Sequence, residues 1–132
     1  MTGLPDHYFR IRENGALVFR VDTGERSQRL DLVPLAIVNL RNGEIRAQGE
    51  RKLTEADLAA IREWMAARGA TLARREVDDI LRTVDHLNLT AHWAQAKASD
   101  AELEEVTDAL LLAMHDLRSV LARKKAERLA ET

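Results

Sequence analysis

Cysteine is absent from the 132 residues of the chain, so disulfide bonds, thiol catalysis and thiolate-held metals are excluded. Aromatic side chains number only five, and the core must therefore consist mainly of Leu, Val, Ile and Ala. No stretch approaches the roughly 18 consecutive apolar residues that span a membrane. The N-terminus lacks the basic region and apolar stretch of a secretory signal, which predicts a cytoplasmic protein.

An excess of charge of one sign is also lacking, since 20 basic and 22 acidic residues give a net charge of −2. This balance argues against bulk electrostatic binding of nucleic acid, although it leaves a local basic patch open. With 45% hydrophobic and 32% charged residues, the composition is typical of a globular protein. Arginine is used far more than lysine, a bias that suggests a GC-rich bacterial genome.

Two segments with alternating apolar and polar residues, 8–13 and 16–22, lie near the start of the chain. Between them Asn14 and Gly15 form a pair that tolerates positive φ at both central positions of a type I′ turn. The pattern predicts a β-hairpin turning at these two residues.

The hairpin signal recurs at Asn42 and Gly43, after an apolar run at residues 35–40 that is typical of a buried strand. Pro34 cannot donate a backbone hydrogen bond and must lie at a strand end or an edge. Together these segments predict an antiparallel β-meander of four to five short strands.

The periodicity becomes helical after residue 53. Thr54 and Asp57 resemble a capping box that would start a helix over residues 55–68, and Gly69 is a plausible C-terminal stop. We therefore expect one short helix packed on the sheet.

Two longer helices follow, over residues 72–98 and 100–129, each with apolar residues alternating at spacings of three and four. Ser99 and Glu102 form a second capping box between them. Because the connection is so short, the two helices must fold back on each other as an antiparallel hairpin. The fold class predicted is α+β, with residues 1–69 forming the meander and capped helix and residues 70–132 forming the hairpin, as one cooperative unit.

The apolar residues at these spacings form a stripe along each of the two longer helices, which we call its seam. Some apolar residues lie outside the seams. At 100° per residue, Leu89 and Trp93 fall opposite the seam that contains Val84, and Leu112 falls opposite the seam that contains Leu110. They need a further surface, which could be the sheet, the short helix or another copy of the chain. Packing within the chain is one interpretation. A homodimer or hetero-interface is the other, because Trp is enriched at interfaces.

The predicted strands also carry several arginines. We expect Arg10, Arg12 and Arg20 on one face of the sheet, with Arg29 as a candidate fourth member. The opposite face is predicted to hold Phe9, Ile11, Leu17 and Phe19. An arginine face could contact phosphates or an acidic protein surface, although interspersed acidic residues make an ordinary solvent face the simpler interpretation. The basic run near the C-terminus is explained by the helix dipole.

Catalytic and cofactor motifs are missing. The glycines form no phosphate-binding loop and the serines no nucleophile motif, so no cofactor is predicted. Asp85, Asn88 and His92 share one side of a helix and could hold a metal if His115 or Asp116 faced them. Neither Glu-x-x-His nor His-Glu-x-x-His occurs, and a solvated polar stripe is the simpler interpretation, so no metal is predicted.

The sequence thus favours a small non-enzymatic protein–protein interaction module, such as an adaptor, assembly or regulatory protein, that self-associates through the helical hairpin. The predicted interaction residues are Leu89, Trp93, Leu112, Arg10, Arg12 and Arg20. The alternative is a nucleic-acid-associated regulator that uses the arginine face of the sheet. A metal-dependent protein using Asp85, His92 and His115 is a third possibility.

Overall fold

The chain forms a four-stranded antiparallel sheet followed by two helices, which confirms the predicted α+β class. A computed structural model describes residues 3–24, 30–49 and 52–131. Arg29, the candidate fourth member of the predicted arginine face, lies outside the described residues. The chain divides into two compact units, residues 1–78 and residues 79–132. The elements are β1 (His7–Arg12), β2 (Gly15–Thr23), β3 (Leu30–Asn39), β4 (Ile45–Ala47), α1 (Glu55–Ala96) and α2 (Asp100–Ala130).

The sheet is the predicted meander, with its strands in the order β1-β2-β3-β4. The second hairpin turns where the sequence indicates, and Gly43 has a φ of 73°, which a residue without a Cβ adopts readily. Gly43 N–H donates to the Asn39 carbonyl at 2.9 Å, and Asn39 N–H donates to the Glu44 carbonyl at 2.9 Å. These bonds satisfy the backbone through the turn between β3 and β4.

The first hairpin is present, but its predicted turn position is wrong. Arg12 pairs with Gly15, so the turn consists of Glu13 and Asn14 and Gly15 belongs to β2. Gly15 is needed for a different reason than positive φ. A Cβ at this position would lie 1.9 Å from the carbonyl oxygen of Val38 on the neighbouring strand, so only glycine allows β2 and β3 to approach this closely.

Pro34 lies within β3, opposite Phe19, next to a register shift between Val18 and Phe19. A bulge of this kind interrupts the ladder locally and accommodates a residue that cannot donate a hydrogen bond. The described part of β4 pairs with β3 only from Ala36 to Val38. Pro34 therefore lies on a stretch of β3 that has β2 on one side only, as the edge requirement predicts.

The core of the first unit lies between one face of the sheet and the start of α1. Its fully buried members are small and aliphatic: Ala16, Val18, Leu35, Ala36, Val38 and Ile61. Phe9 and Trp64 cover this cluster with rings stacked 4.8 Å apart and nearly parallel. A sheet face of small residues lets α1 pack closely, and the stacked aromatic pair closes the cluster on the β1 side.

Helix α1 starts at the predicted cap but does not end at Gly69. Asp57 N–H donates to Thr54 Oγ1 at 3.0 Å, and Thr54 N–H donates to Asp57 Oδ2 at 3.1 Å, which completes the capping box. The predicted stop at Gly69 is wrong, because the helix continues unbroken to Ala96. A glycine inside a helix costs only about 1 kcal/mol relative to alanine, and the good helix formers on both sides outweigh this cost.

Candidate protein-interaction surface

The second unit is a pair of helices joined by a tight turn. The end of α1 is closed by the N–H groups of Lys97 and Ala98, which both donate to the Trp93 carbonyl at 2.9 Å. Glu102 N–H donates to Ser99 Oγ at 3.2 Å, and Ser99 N–H donates to Glu102 Oε1 at 2.9 Å. This capping box starts α2 at once, so the predicted helical hairpin is confirmed.

Near the turn, the two helices face each other across an apolar groove of about 220 Å³. Trp93 and Leu87 line it from α1, and Leu103, Val106 and Leu110 line it from α2. Trp93 is half-buried in this groove. The expectation that Trp93 lies opposite the helix–helix seam is therefore wrong, because its large ring reaches the space between the helices.

Farther from the turn, apolar residues on both helices are exposed. Ile80 and Val84 on α1, and Met114 and Leu117 on α2, each leave more than half of their surface exposed. The sequence predicts that these seams fill each other, but the hairpin covers them only near the turn. The seam is thus incomplete within this unit.

Leu89 and Leu112, two of the predicted interaction residues, are largely exposed. Leu89 is 66% exposed and Leu112 is 72% exposed. No described residue of α2 is buried. Among the described residues of this unit, ten large apolar ones are more than half exposed: Ile80, Leu81, Val84, Leu89, Leu111, Leu112, Met114, Leu117, Leu121 and Leu129.

The three predicted arginines of the sheet do not share one face. In the β1–β2 hairpin an even-numbered residue opposes an odd-numbered one, so Arg10 pairs with Leu17. Residues directly opposite each other project to the same face. The Arg10 guanidinium lies 4.6 Å from the centre of the Phe19 ring, a cation–π contact on the face away from α1. The predicted separation of Arg10 from Leu17 and Phe19 is therefore wrong.

Arg20 projects to the opposite face, where it helps to hold α1 on the sheet. Its Nη2 donates to Asp57 Oδ2 at 2.7 Å, and His7 Nε2 lies 2.7 Å from Asp57 Oδ1. His7 and Arg20 are cross-strand partners, and Asp57 is only 2% exposed. Burial of this carboxyl would raise its pKa, but the bonds from His7 and Thr54 and the charge of Arg20 lower the pKa to about 2.

Arg12 is the last residue of β1, two residues after Arg10, so the backbone places both on the same face of the sheet. It lines a groove of about 370 Å³ together with Arg41 and Arg68. Glu13 and Glu76 line the same groove, so its charge is mixed. Arg10 thus contacts the Phe19 ring, Arg12 lines this groove and Arg20 contacts Asp57 on the opposite face, so Arg20 does not belong to a common arginine face.

The residues of the third sequence interpretation are not brought together either. Within the described residues, no group of three or more His, Asp or Glu side chains is arranged to hold a metal ion. This includes Asp85, His92 and His115. None of the described helices is both long and apolar enough to cross a membrane.

The chain matches no family model, no curated protein and no solved structure. Its function must therefore be inferred from its own residues, and the exposed apolar surface of residues 79–132, which we call the hairpin surface, is the strongest candidate.

Proposed function

We propose that this chain is a small non-enzymatic protein–protein interaction module that self-associates through the hairpin surface. The observation that carries the proposal is that α2, 31 residues long and well capped, has no buried residue. Helices of globular proteins gain most of their stability from packing an apolar face rather than from intrinsic propensity. A helix with this many exposed leucines needs a partner to cover them.

The energetics favour association. Fully burying a large aliphatic side chain contributes roughly 1.5–3 kcal/mol, so covering one that is more than half exposed contributes about 1 kcal/mol. If half of the ten residues are covered in each of two chains, the gross gain is roughly 10 kcal/mol, which is comparable with the roughly 4–15 kcal/mol cost of association. Further contacts from side-chain stems and from the remaining leucines then decide the affinity.

The exposed apolar area of the hairpin surface also supports self-association. At about 25 cal/mol per Å², the same side-chain energies correspond to roughly 60–120 Å² for each aliphatic side chain. Ten such side chains, each more than half exposed, offer several hundred Å². A standard interface buries about 800 Å² per partner, of which somewhat more than half is apolar. The hairpin surface is therefore large enough for a stable contact.

The nucleic-acid alternative has less support. It requires several arginines on one surface, but Arg20 is paired with Asp57 and Arg10 lies against Phe19. Binding that falls steeply with salt would be its signature, and we keep it as an outcome of the tests rather than as a second proposal. A cytoplasmic location is part of the proposed function.

The proposal is tested by removing apolar surface from α2 without removing its helix. Replacing both Leu117 and Leu121, which are more than half exposed, by Gln keeps helix propensity but makes the surface polar. We expect light scattering to show a shift from dimer towards monomer, with unchanged helical circular dichroism. The matched control replaces Ile11 and Leu30, which are equally exposed on the sheet, and should leave the mass unchanged.

Two outcomes contradict the proposal. One is an equal loss of mass in the sheet control, which would place the contact on the sheet. The other is a wild-type chain that is monomeric at every concentration and retains its helices, because the hairpin surface would then need no second copy.

A further inference from the structure

The charges of α2 are divided between its two halves. Residues 100–116 carry six acidic side chains and no Lys or Arg, whereas residues 117–131 carry five basic and two acidic ones. The helix dipole favours acids at the start and bases at the end, but its effect falls off within the first and last turns. The division in α2 extends over about four turns in each direction, and the dipole therefore explains only its ends.

One strip along α2 combines these charges with exposed apolar residues. Leu111, Met114 and Leu121 follow one another at spacings of three and seven. All three are more than half exposed, and Leu111 and Met114 also line the groove between α1 and α2. Glu104 lies seven residues before Leu111, and Lys125 lies four residues after Leu121, on the same side of the helix. We call these five residues the α2 strip. It has an acidic end, an apolar centre and a basic end.

The charged ends of the strip have no partner within the part of the chain that the structure describes. Both Glu104 and Lys125 are exposed, and neither has an ion pair within 4.0 Å among the described residues. By contrast, Arg74 pairs with Asp78 and Arg82 with Asp79 on α1. When two copies of the strip run in opposite directions, the acidic end of each therefore meets the basic end of the other.

We propose that α2 pairs antiparallel with α2 of a second copy of the chain, the two helices crossing near Met114. Met114 lies midway between Glu104 and Lys125 in sequence, so a two-fold axis there places Glu104 opposite Lys125 of the partner subunit, twice in each dimer. A two-fold contact uses the same patch on both chains, which is the requirement that the α2 strip meets. The inference rests on the proposed self-association and specifies its partner and its orientation.

Apolar contact and charge have separate effects in this arrangement. The central leucines and Met114 provide affinity, whereas exposed ion pairs each add little. A parallel pairing would place the acidic halves against each other and the basic halves against each other, and repulsion of this kind selects against the wrong orientation. Charge therefore determines the direction of the pairing.

Because the chain has no cysteine, its orientation can be mapped with introduced cysteines alone. In an antiparallel pair only a position near the axis meets its own copy, and a disulfide requires Cβ atoms about 3.5–4.5 Å apart. We expect Met114→Cys to form a disulfide-linked dimer under mild oxidation and Lys125→Cys alone to form none. A mixture of Glu104→Cys and Lys125→Cys chains should link to each other.

Charge reversal tests the same geometry without a covalent bond. Glu104→Lys should raise the dissociation constant of the dimer about tenfold, because two attractive contacts become repulsive. Adding Lys125→Glu should restore the affinity, since both pairs are then reversed. Glu105→Lys is the matched control, because position 105 is turned 100° from the strip and should leave the affinity unchanged.

The outcomes separate the two proposals. A dimer in which Lys125→Cys links to itself as readily as Met114→Cys overturns the antiparallel arrangement but leaves self-association standing. A dimer whose affinity is indifferent to the Glu104 and Lys125 reversals overturns the pairing of these two residues. A chain that never dimerises overturns the proposed function and this inference together.

Discussion

Asp57 provides the sharpest test of how the first unit is held together. Its carboxylate is buried and accepts hydrogen bonds from Arg20 and from the Thr54 backbone, with His7 as a further partner. Replacement by Asn keeps the shape and one acceptor oxygen but removes the charge. The Arg20 guanidinium and the His7 ring then lose the anion that they contact. We expect Asp57→Asn to destabilise the first unit strongly at pH 7.

The size of this destabilisation follows from the lowered pKa of Asp57. For each unit by which the folded pKa differs from the unfolded pKa, folding favours one protonation state over the other by about 1.4 kcal/mol of free energy. The lowering from 3.8 to about 2 therefore corresponds to about 2 kcal/mol of stability. Because a lowered carboxyl pKa stabilises only the ionised form, this contribution is present above the unfolded pKa of 3.8. It is lost as the pH falls through 3.8 towards 2.

The measurement is denaturant unfolding of wild type and Asp57→Asn at neutral pH and at several acidic values, followed by Trp64 fluorescence in a Trp93→Phe background. Trp64 stacks on Phe9 and so reports on the first unit. We expect a difference of about 2 kcal/mol at neutral pH that shrinks below pH 3.8. The control is Asp79→Asn, whose carboxylate is exposed beside Arg82 and should change stability by less than about 0.5 kcal/mol.

Equal stability of wild type and Asp57→Asn at neutral pH would refute the reasoning, because it would mean that the buried contacts contribute nothing beyond those of an amide. A difference that stays constant down to pH 2 would refute the electrostatic explanation and leave only packing.

Three further substitutions test the fold. Gly69→Ala should stabilise the chain by about 0.5–1 kcal/mol in thermal unfolding, because a Cβ there meets nothing within 4 Å and alanine is the better helix former; a loss of stability would contradict the continuous α1. Gly15→Ala should instead destabilise it by more than 1 kcal/mol, since its Cβ would clash with the Val38 carbonyl, and a neutral result would show that β2 can move away at no cost. Ser99→Ala should cost about 1 kcal/mol through loss of the α2 cap, and unchanged helix melting would argue that the capping box is dispensable.

Local patterns predict much of this fold. Alternation and the Asn-Gly pairs indicate the meander, and the capping boxes at Thr54 and Ser99 locate the starts of both helices. The break at Gly69 is predicted wrongly because a single glycine is a weak signal inside a long run of helix formers. Only the continuity of the backbone hydrogen bonds on both sides decides the outcome there.

The faces of the sheet could have been predicted better. A two-residue turn always opposes even-numbered with odd-numbered residues, and applying this rule to the predicted turn places Arg10 opposite Phe19, on the same face. The pairing of His7 with Arg20 follows only from the observed turn, which lies one residue earlier. The contacts of these two residues with Asp57 depend on how α1 packs on the sheet. Asp57 lies 50 residues after His7 and 37 residues after Arg20. No local pattern contains that information.

Of the predicted interaction residues, Leu89 and Leu112 are as exposed as helical phase indicates, whereas Trp93 is not. A phase angle describes the position of Cα and Cβ, and a long aromatic side chain can reach around the helix from an unfavourable phase. The incomplete seam between Val84 and Leu117 could not be predicted from sequence, since periodicity shows which residues need a partner but not which chain supplies it.

The mass of the purified 132-residue chain in solution tests the central claim most directly. Sedimentation equilibrium across a dilution series should give twice 14.9 kDa at high concentration and a reversible approach to the monomer on dilution. A mass of 14.9 kDa throughout, with the helical content intact, would contradict the claim that the hairpin surface pairs with a second copy.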